Sequence, residues 1–165
     1  MTNQQKAEKK WANIFINFLK FKYGLNYYLK PCNKRINNMC DIDVIAVNNE
    51  NNEDKLYLQL TRDMREDKED GYPFFDCNNI VKAMSDKVNK YKKQNKQMKE
   101  VILLIQGDMD KQESKYEFTK DIINYAQNTP FKGVYYLSPV SWGGKEGVFN
   151  KKEMFVKVLK DCFSK

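Results

Sequence analysis

The sequence predicts a single α/β domain over residues 1–165, with a mixed β-sheet of about five strands and helices on both faces of the sheet. Three observations predict this class. Short β-rich runs come first and then alternate with stretches of helical periodicity. One run, VILLIQ at residues 101–106, is apolar in all but its last position, which is typical of a strand buried on both faces. No internal repeat or linker divides the chain.

The chain opens with an amphipathic stretch that predicts a helix over residues 4–22. Thr2 and Gln5 have the spacing of an N-terminal capping box, and Gly24 is expected to end the helix. A short strand is predicted at residues 26–30.

Two β-rich runs, at residues 41–47 and 55–62, flank the polar loop NNENNED. The second run, KLYLQLTR, alternates strictly between apolar and polar residues, and together the two runs predict a β-hairpin. Folding about Asn51, near the loop centre, sets the expected register of the hairpin.

Helices and strands alternate in the second half of the chain. The predicted elements are a helix at 79–94, a strand at 101–106, a helix at 110–127, a strand at 132–137 and a helix from Asn150 to Phe163. Residues 63–77 and the WGGKEG segment are predicted to be loops.

Composition excludes several kinds of chemistry. The chain has no histidine, which rules out Ser-His-Asp and Cys-His catalysis and any histidine-ligated metal. Its four cysteines form no CxxC pair and are expected to be free thiols. A catalyst in this chain must therefore use carboxylates, lysine, tyrosine or a hard metal ion held by oxygen.

The chain is expected to be cytoplasmic and to have no membrane partner, because it contains neither an apolar run of about 18 residues nor the apolar core of a secretory signal. A net charge of +7 permits a polyanionic partner. The basic residues are 26 lysines and 3 arginines, however, and an excess of Lys and Asn is also what an AT-rich genome produces.

The hairpin carries the candidate chemistry. Folding about Asn51 pairs Asp43 with Gln59 and Asp41 with Thr61, and strand alternation then places these four polar side chains on one face. Carboxylate and amide oxygens at one end of a sheet suit Mg²⁺ or Mn²⁺. The alternative is an exposed strand end whose polar groups simply face water.

The run DIDVIA, followed after the loop by LYLQLTR, resembles the core of the PD-(D/E)xK nuclease superfamily, in the Gln-x-Lys form of Mrr-type restriction endonucleases. The resemblance covers residues 40–62 by motif and most of the chain by element order. It implies a restriction-endonuclease-like fold, Mg²⁺-dependent (or Mn²⁺-dependent) hydrolysis of phosphodiester bonds in DNA or RNA, and a possible homodimer.

Carried over to this chain, the resemblance makes Asp43 a metal ligand and places Gln59 at the Glu/Gln position. It also implies Asp41 and Glu8 as further metal ligands. Thr61 stands where the superfamily has its lysine, and a threonine hydroxyl supplies no positive charge.

Lys87 is the candidate to replace that lysine, and Lys82, Lys87, Tyr91 and Arg62 are expected to contact nucleic acid. Two alternatives stay open at this point. Lys87 can instead be a solvated helix lysine, which is the more common fate of such a residue. Glu8 can equally be a first-turn carboxylate that interacts with the helix dipole.

Two further functions are compatible with the sequence. One is a catalytically impaired nuclease fold that binds nucleic acid through lysine–phosphate contacts, which the threonine at position 61 favours. The other is a protein-binding role, for example as an inhibitor carried by a virus or a mobile element.

Overall fold

The computed structural model describes residues 3–32, 39, 41–62, 77–107, 120–139 and 154–163, which form three helices and six strands. In chain order the elements are α1 (Asn3–Tyr23), β1 (Tyr27–Pro31), β2 (Val44–Asn48), β3 (Lys55–Arg62), α2 (Cys77–Lys93), β4 (Val101–Gln106), α3 (Lys120–Gln127), β5 (Gly133–Pro139) and β6 (Met154–Lys160). None of the described helices combines the length and apolar character needed to cross a bilayer.

The strands form one mixed sheet in which the spatial order follows the chain order from β1 to β6. β1, β2 and β3 pair antiparallel, β3, β4 and β5 pair parallel, and β6 pairs antiparallel with β5. The two parallel connections contain α2 and α3, because parallel neighbours need a long crossover. The predicted α/β class with a mixed sheet is confirmed, and the sheet has one strand more than predicted.

The β2–β3 hairpin has the predicted register, with Val44 opposite Leu58 and Ile45 opposite Tyr57. The Asp54 carboxylate stabilises the connecting turn. It accepts hydrogen bonds from the Tyr27 hydroxyl at 2.8 Å and from the Asn48 side-chain amide at 2.9 Å. The turn is therefore tied to β1 as well as to its own strands.

Helix α1 covers one face of the sheet, called here the α1 face. It ends as predicted at Gly24, whose φ of 69° is the left-handed conformation that glycine tolerates best. The buried side chains of Phe15 and Leu19 pack in one cluster with Leu58 of β3 and Tyr135 of β5. The regular apolar spacing of α1 thus becomes the contact between helix and sheet.

Helices α2 and α3 cover the opposite face, called here the α2–α3 face. Met84 of α2 and Ile122 of α3 are buried there with Leu103 and Ile105 of β4. Residues of β4 are buried on both sides, as its apolar run predicts. Helices therefore lie on both faces of the sheet, which confirms the predicted arrangement.

The predicted C-terminal helix is wrong, because residues 154–160 form β6 instead. Apolar residues in this segment satisfy helical spacing, but Val156 and Val158 also alternate and both pack on the α1 face. As a strand, this segment pairs its backbone N–H and C=O groups with those of β5. A helix would leave the backbone groups on that edge of β5 without these partners. The expected cap at Asn150 lies outside the described residues.

Several other predicted boundaries can be compared with the structure. Helix α2 begins at Cys77 rather than at residue 79, and α3 matches the last part of the helix predicted at 110–127. The predicted cap at Thr2, the start of the third helix, most of the 63–77 loop and the WGGKEG loop lie outside the described residues.

We expect Gly133→Ala to lower the free energy of unfolding by about 1–3 kcal/mol, because an added methyl group overpacks a full site. A Cβ at this position would lie 2.9 Å from the Cys162 Sγ and 3.0 Å from a ring carbon of Tyr135. Denaturant titration measures the loss, and adding Cys162→Ala should recover part of it. Gly24→Ala is the control, because a Cβ at that site meets open space and the loss of stability arises from backbone conformation. If adding Cys162→Ala recovered as much stability in Gly24→Ala as in Gly133→Ala, the packing explanation would be contradicted.

Candidate functional site

The side of the sheet on which the parallel strands end is called here the carboxyl edge. β3, β4 and β5 end there, at Arg62, Gln106 and Pro139. Gln59 lies three residues before the end of β3, and β2, which runs antiparallel to β3, begins opposite Leu58. Ligand sites of α/β sheets commonly lie outside the carboxyl ends of the strands.

Asp43 immediately precedes β2 and is anchored to β3 through both its backbone and its side chain. Its N–H donates to the Leu58 carbonyl at 3.0 Å, and its carboxylate Oδ2 accepts the Leu60 N–H at 2.8 Å. The Asp43 carboxylate therefore takes the place of a backbone acceptor for β3, just before the first residue of β2. These contacts hold a half-buried acidic group against β3, but the predicted pairing of Asp43 with Gln59 is not part of the ladder, which begins with Val44 opposite Leu58.

The surroundings of Asp43 disfavour its negative charge. Burial raises the pKa of Asp43 to about 6, and the carboxylates of Glu8 and Asp41 act in the same direction. The Leu60 N–H and the Lys87 ammonium act in the opposite direction. Glu8 and Lys87 therefore act on Asp43 from helices on opposite faces of the sheet, which brings four of the predicted site residues into one electrostatic neighbourhood.

Gln59 is a buried polar residue with 3% of its surface exposed. Its side-chain carbonyl oxygen accepts a hydrogen bond of 2.6 Å from the hydroxyl of Tyr91. A phenol has one proton, and the Asp41 carboxylate lies farther from the same hydroxyl, at 3.4 Å. Gln59 is thus the acceptor, and Tyr91 fixes the orientation of its amide.

Tyr91 has a different place from the predicted one. The sequence puts it among the nucleic-acid contacts, but its side chain is fully buried in the core beneath α2. Its position on the apolar stripe of the helix was the signal for this burial. In this conformation it positions Gln59 and does not present a ring to a ligand.

Asp41 does not extend β2, and its predicted pairing with Thr61 does not form, because β2 begins at Val44. Met39 instead pairs with Gln97, so the chain before Asp43 runs beside the segment that follows α2. Ile42 packs on the α2–α3 face and Val44 on the α1 face, so the regular alternation of a strand does not extend from β2 back to Ile42.

Two lysines hold Asp41 in this place. Lys90 Nζ lies 3.2 Å from one carboxylate oxygen, and Lys96 Nζ lies 3.6 Å from the other. Burial alone would raise the pKa of Asp41, but the hydrogen bond and charge of Lys90, together with Lys96, lower it below its ordinary value. The sequence analysis missed both lysines, since the contact depends on the long-range pairing of Met39 with Gln97.

The remaining predicted residues differ in exposure. Thr61 is half-buried and shares the Gln59 side of β3 by strand alternation, while Arg62 is exposed at the end of that strand. On α2, Lys87 is half-buried one turn before Tyr91, and Lys82 is exposed.

The described side chains around Asp43 do not form a complete metal cage. Within the described ranges, no three acidic or thiol side chains come together in a preformed metal site. Mg²⁺ commonly takes one or two carboxylates from the protein and completes its shell with waters and substrate phosphate oxygens. Asp43 is one such carboxylate, Glu8 is a further carboxylate within electrostatic range of it, and the Gln59 oxygen is the acceptor of the Tyr91 hydroxyl.

We compare the free energy of unfolding of Asp43→Asn with that of wild type. We expect this difference to favour the variant by roughly 1–2 kcal/mol more at pH 7 than at pH 4. The folded pKa of Asp43 is raised to about 6 from an ordinary value of 3.8. The unfolded state therefore loses this proton first, and the wild type loses stability as the pH rises from 4 to 6. Asparagine does not titrate and keeps an acceptor for the Leu60 N–H.

Chemical denaturation at both pH values measures the difference between Asp43→Asn and wild type. Asp121→Asn, at an exposed position of α3, is the matched control. A difference for Asp43→Asn that does not grow between pH 4 and pH 7 would contradict the raised pKa.

Comparison of the chain with protein-family models, with curated proteins and with solved structures finds no match. The superfamily resemblance of residues 40–62 therefore stays a prediction.

Proposed function

We propose that this protein is a metal-dependent nuclease of the PD-(D/E)xK type, which hydrolyses phosphodiester bonds in DNA. The observation that carries the proposal is the state of Asp43. Its carboxylate is half-buried and anchored by the Leu60 N–H, and burial with the nearby Glu8 disfavours its charged form. A buried carboxylate whose charge is disfavoured is typical of functional sites, and a divalent cation would favour the charged form.

The architecture supports the same proposal. The leading helix, the antiparallel strands β1 to β3, helix α2 and strand β4 follow one another in the order that the resemblance implies. In that arrangement an Asp on one strand faces the Glu/Gln position on the next. Gln59 lies on β3, and Asp43 immediately precedes the neighbouring strand β2 and bonds to β3.

Asp43 and Gln59 are the proposed ligands of Mg²⁺ or Mn²⁺, with Glu8 assisting from α1. The chemistry that the bound ion supplies is activation of water and stabilisation of negative charge on the phosphate. Tyr91 fixes the Gln59 amide through its 2.6 Å hydrogen bond, so one lone pair of the amide oxygen remains for a ligand. Asp41 is omitted from this set because Lys90 and Lys96 hold its carboxylate.

Lys87 is the proposed replacement for the lysine that Thr61 lacks. Its ammonium is close enough to Asp43 to lower the pKa of that carboxyl group. A cation at this distance is placed to stabilise charge that develops on a phosphate held beside Asp43. Because Lys87 lies on α2 and not on β3, the helix supplies the positive charge of the proposed site.

A second candidate function is binding of nucleic acid without cleavage. The neutral side chain of Thr61 favours it, as does the engagement of Asp41 by two lysines. The two functions differ in one measurement, because a binding protein retains salt-sensitive affinity but leaves the DNA intact in Mg²⁺ and in Mn²⁺.

We expect the wild type to cleave DNA in Mg²⁺ or Mn²⁺ and not in EDTA, and Asp43→Ala to lower the cleavage rate by at least about 100-fold. Asp121→Asn is the control for loss of an acidic residue outside the site. Gel assays on plasmid and on single-stranded DNA measure the rates. If Asp43→Ala retained cleavage, the proposed site would be wrong. If every wild-type sample left the DNA intact, the nuclease proposal would be wrong and the binding function would be favoured.

We expect Lys87→Ala to lower kcat by about 100-fold while leaving the affinity for DNA within a few-fold of wild type, since its charge acts on the reacting phosphate. Lys82→Ala, at an exposed position on the same helix, should instead affect binding and leave kcat nearly unchanged. Single-turnover kinetics separate the two effects. Equal behaviour of the two variants would remove Lys87 from the proposed role.

A further inference from the structure

The end of α2 and the turn that follows it carry an unusual concentration of positive charge. Residues 87–99 contain six lysines and no acidic residue. Within this stretch, the ammonium groups of Lys90 and Lys96 converge on a single carboxylate, that of Asp41, at 3.2 and 3.6 Å. Asp41 reaches them from a distant part of the chain, through the pairing of Met39 with Gln97.

The backbone that presents the two lysines is well defined. Asn95 adopts the left-handed conformation with φ of 56°, and the Lys96 N–H donates to the Tyr91 carbonyl at 2.9 Å. The Asn95 N–H donates to the Lys92 carbonyl at 3.1 Å. This pair of bonds is a Schellman motif, which ends α2 and turns Lys96 back beside Lys90.

The charges of this group do not balance. Two ammonium groups face one carboxylate, which leaves one positive charge without a counterion inside the group. All three side chains reach solvent, with 47% of Asp41, 45% of Lys90 and 25% of Lys96 exposed. Ion pairs at this exposure contribute little to stability, so a stronger anion can displace the carboxylate at low cost.

We propose that Lys90 and Lys96 form a phosphate-binding subsite, which Asp41 occupies in the free protein and which a backbone phosphate of the nucleic acid takes over on binding. The inference rests on the proposed function for the identity of the phosphate carrier. The subsite is linked to the candidate site through Tyr91, whose hydroxyl lies 3.4 Å from Asp41 and 2.6 Å from Gln59. It therefore holds the strand beside the site and not within it.

The proposed subsite predicts an unusual effect of Asp41 on the affinity for DNA. A carboxylate that competes with phosphate for two lysines weakens DNA binding, so its removal should strengthen binding. We expect Asp41→Asn to bind a short fluorescein-labelled DNA duplex about three- to tenfold more tightly than wild type. The full chain is used, in EDTA to prevent cleavage, and fluorescence anisotropy measures Kd over a range of salt concentrations.

Removing the lysines should have the opposite effect. The double variant Lys90→Gln/Lys96→Gln should bind more weakly, and the slope of log Kd against log salt concentration should fall by about two. Adding Asp41→Asn to this double variant should produce no further gain. Lys10→Gln/Lys20→Gln removes two exposed lysines from α1, on the opposite face of the sheet, and is the matched control for loss of charge.

Thermal unfolding of each variant establishes that it is folded. Unchanged or weaker binding by Asp41→Asn would overturn the subsite, and so would a lysine double variant that keeps the wild-type salt slope. Absence of DNA binding by both the wild type and Asp41→Asn would also overturn it. If the expected binding changes appear while the wild type leaves DNA intact in Mg²⁺ and Mn²⁺, the subsite stands and the nuclease proposal fails.

Discussion

The hydrogen bond from the Leu60 N–H to the Asp43 carboxylate holds a charged group where the β2–β3 ladder ends. The Leu60 N–H lies beyond the last backbone pair of the ladder and needs an acceptor, which the side chain supplies. The same bond keeps the carboxylate half-buried against β3, within reach of charges from α1 and α2. The end of a strand pair and the candidate site are therefore one structural feature, and the stability of one is linked to the chemistry of the other.

Much of the fold could be predicted from the sequence because its signals are local. The apolar stripe of α1, the stop at Gly24, the alternation in β3 and the apolar run of β4 each indicate one element without reference to the rest of the chain. The hairpin register followed from the length of its polar loop. The C-terminal segment could not be assigned in this way, because its residues satisfy helical and strand spacing and the unpaired edge of β5 decides between them.

The same distinction applies to the site. The pairing of β2 with β3 could be predicted because alternation and register are local properties of a hairpin, but the ladder begins at Val44 and the predicted pairing of Asp43 with Gln59 is not part of it. Asp41, two residues earlier, lies outside that hairpin, since the pairing of Met39 with Gln97 and the lysines after α2 draw it away. The apolar stripe of α2 indicated that Tyr91 is buried, although it was predicted to contact nucleic acid, and its bond to Gln59 depends on the packing of α2 on the sheet. Contacts between distant segments are what the sequence could not supply.

Anomalous X-ray diffraction from crystals soaked in Mn²⁺ gives the sharpest test of the proposed metal site. The proposed function places the ion between the Asp43 carboxylate, which β3 anchors through the Leu60 N–H, and the Gln59 side-chain oxygen, which Tyr91 orients. An anomalous peak in contact with both oxygens is the predicted result. A soaked crystal with no peak at Asp43, or with Mn²⁺ bound elsewhere on the chain, would contradict the account.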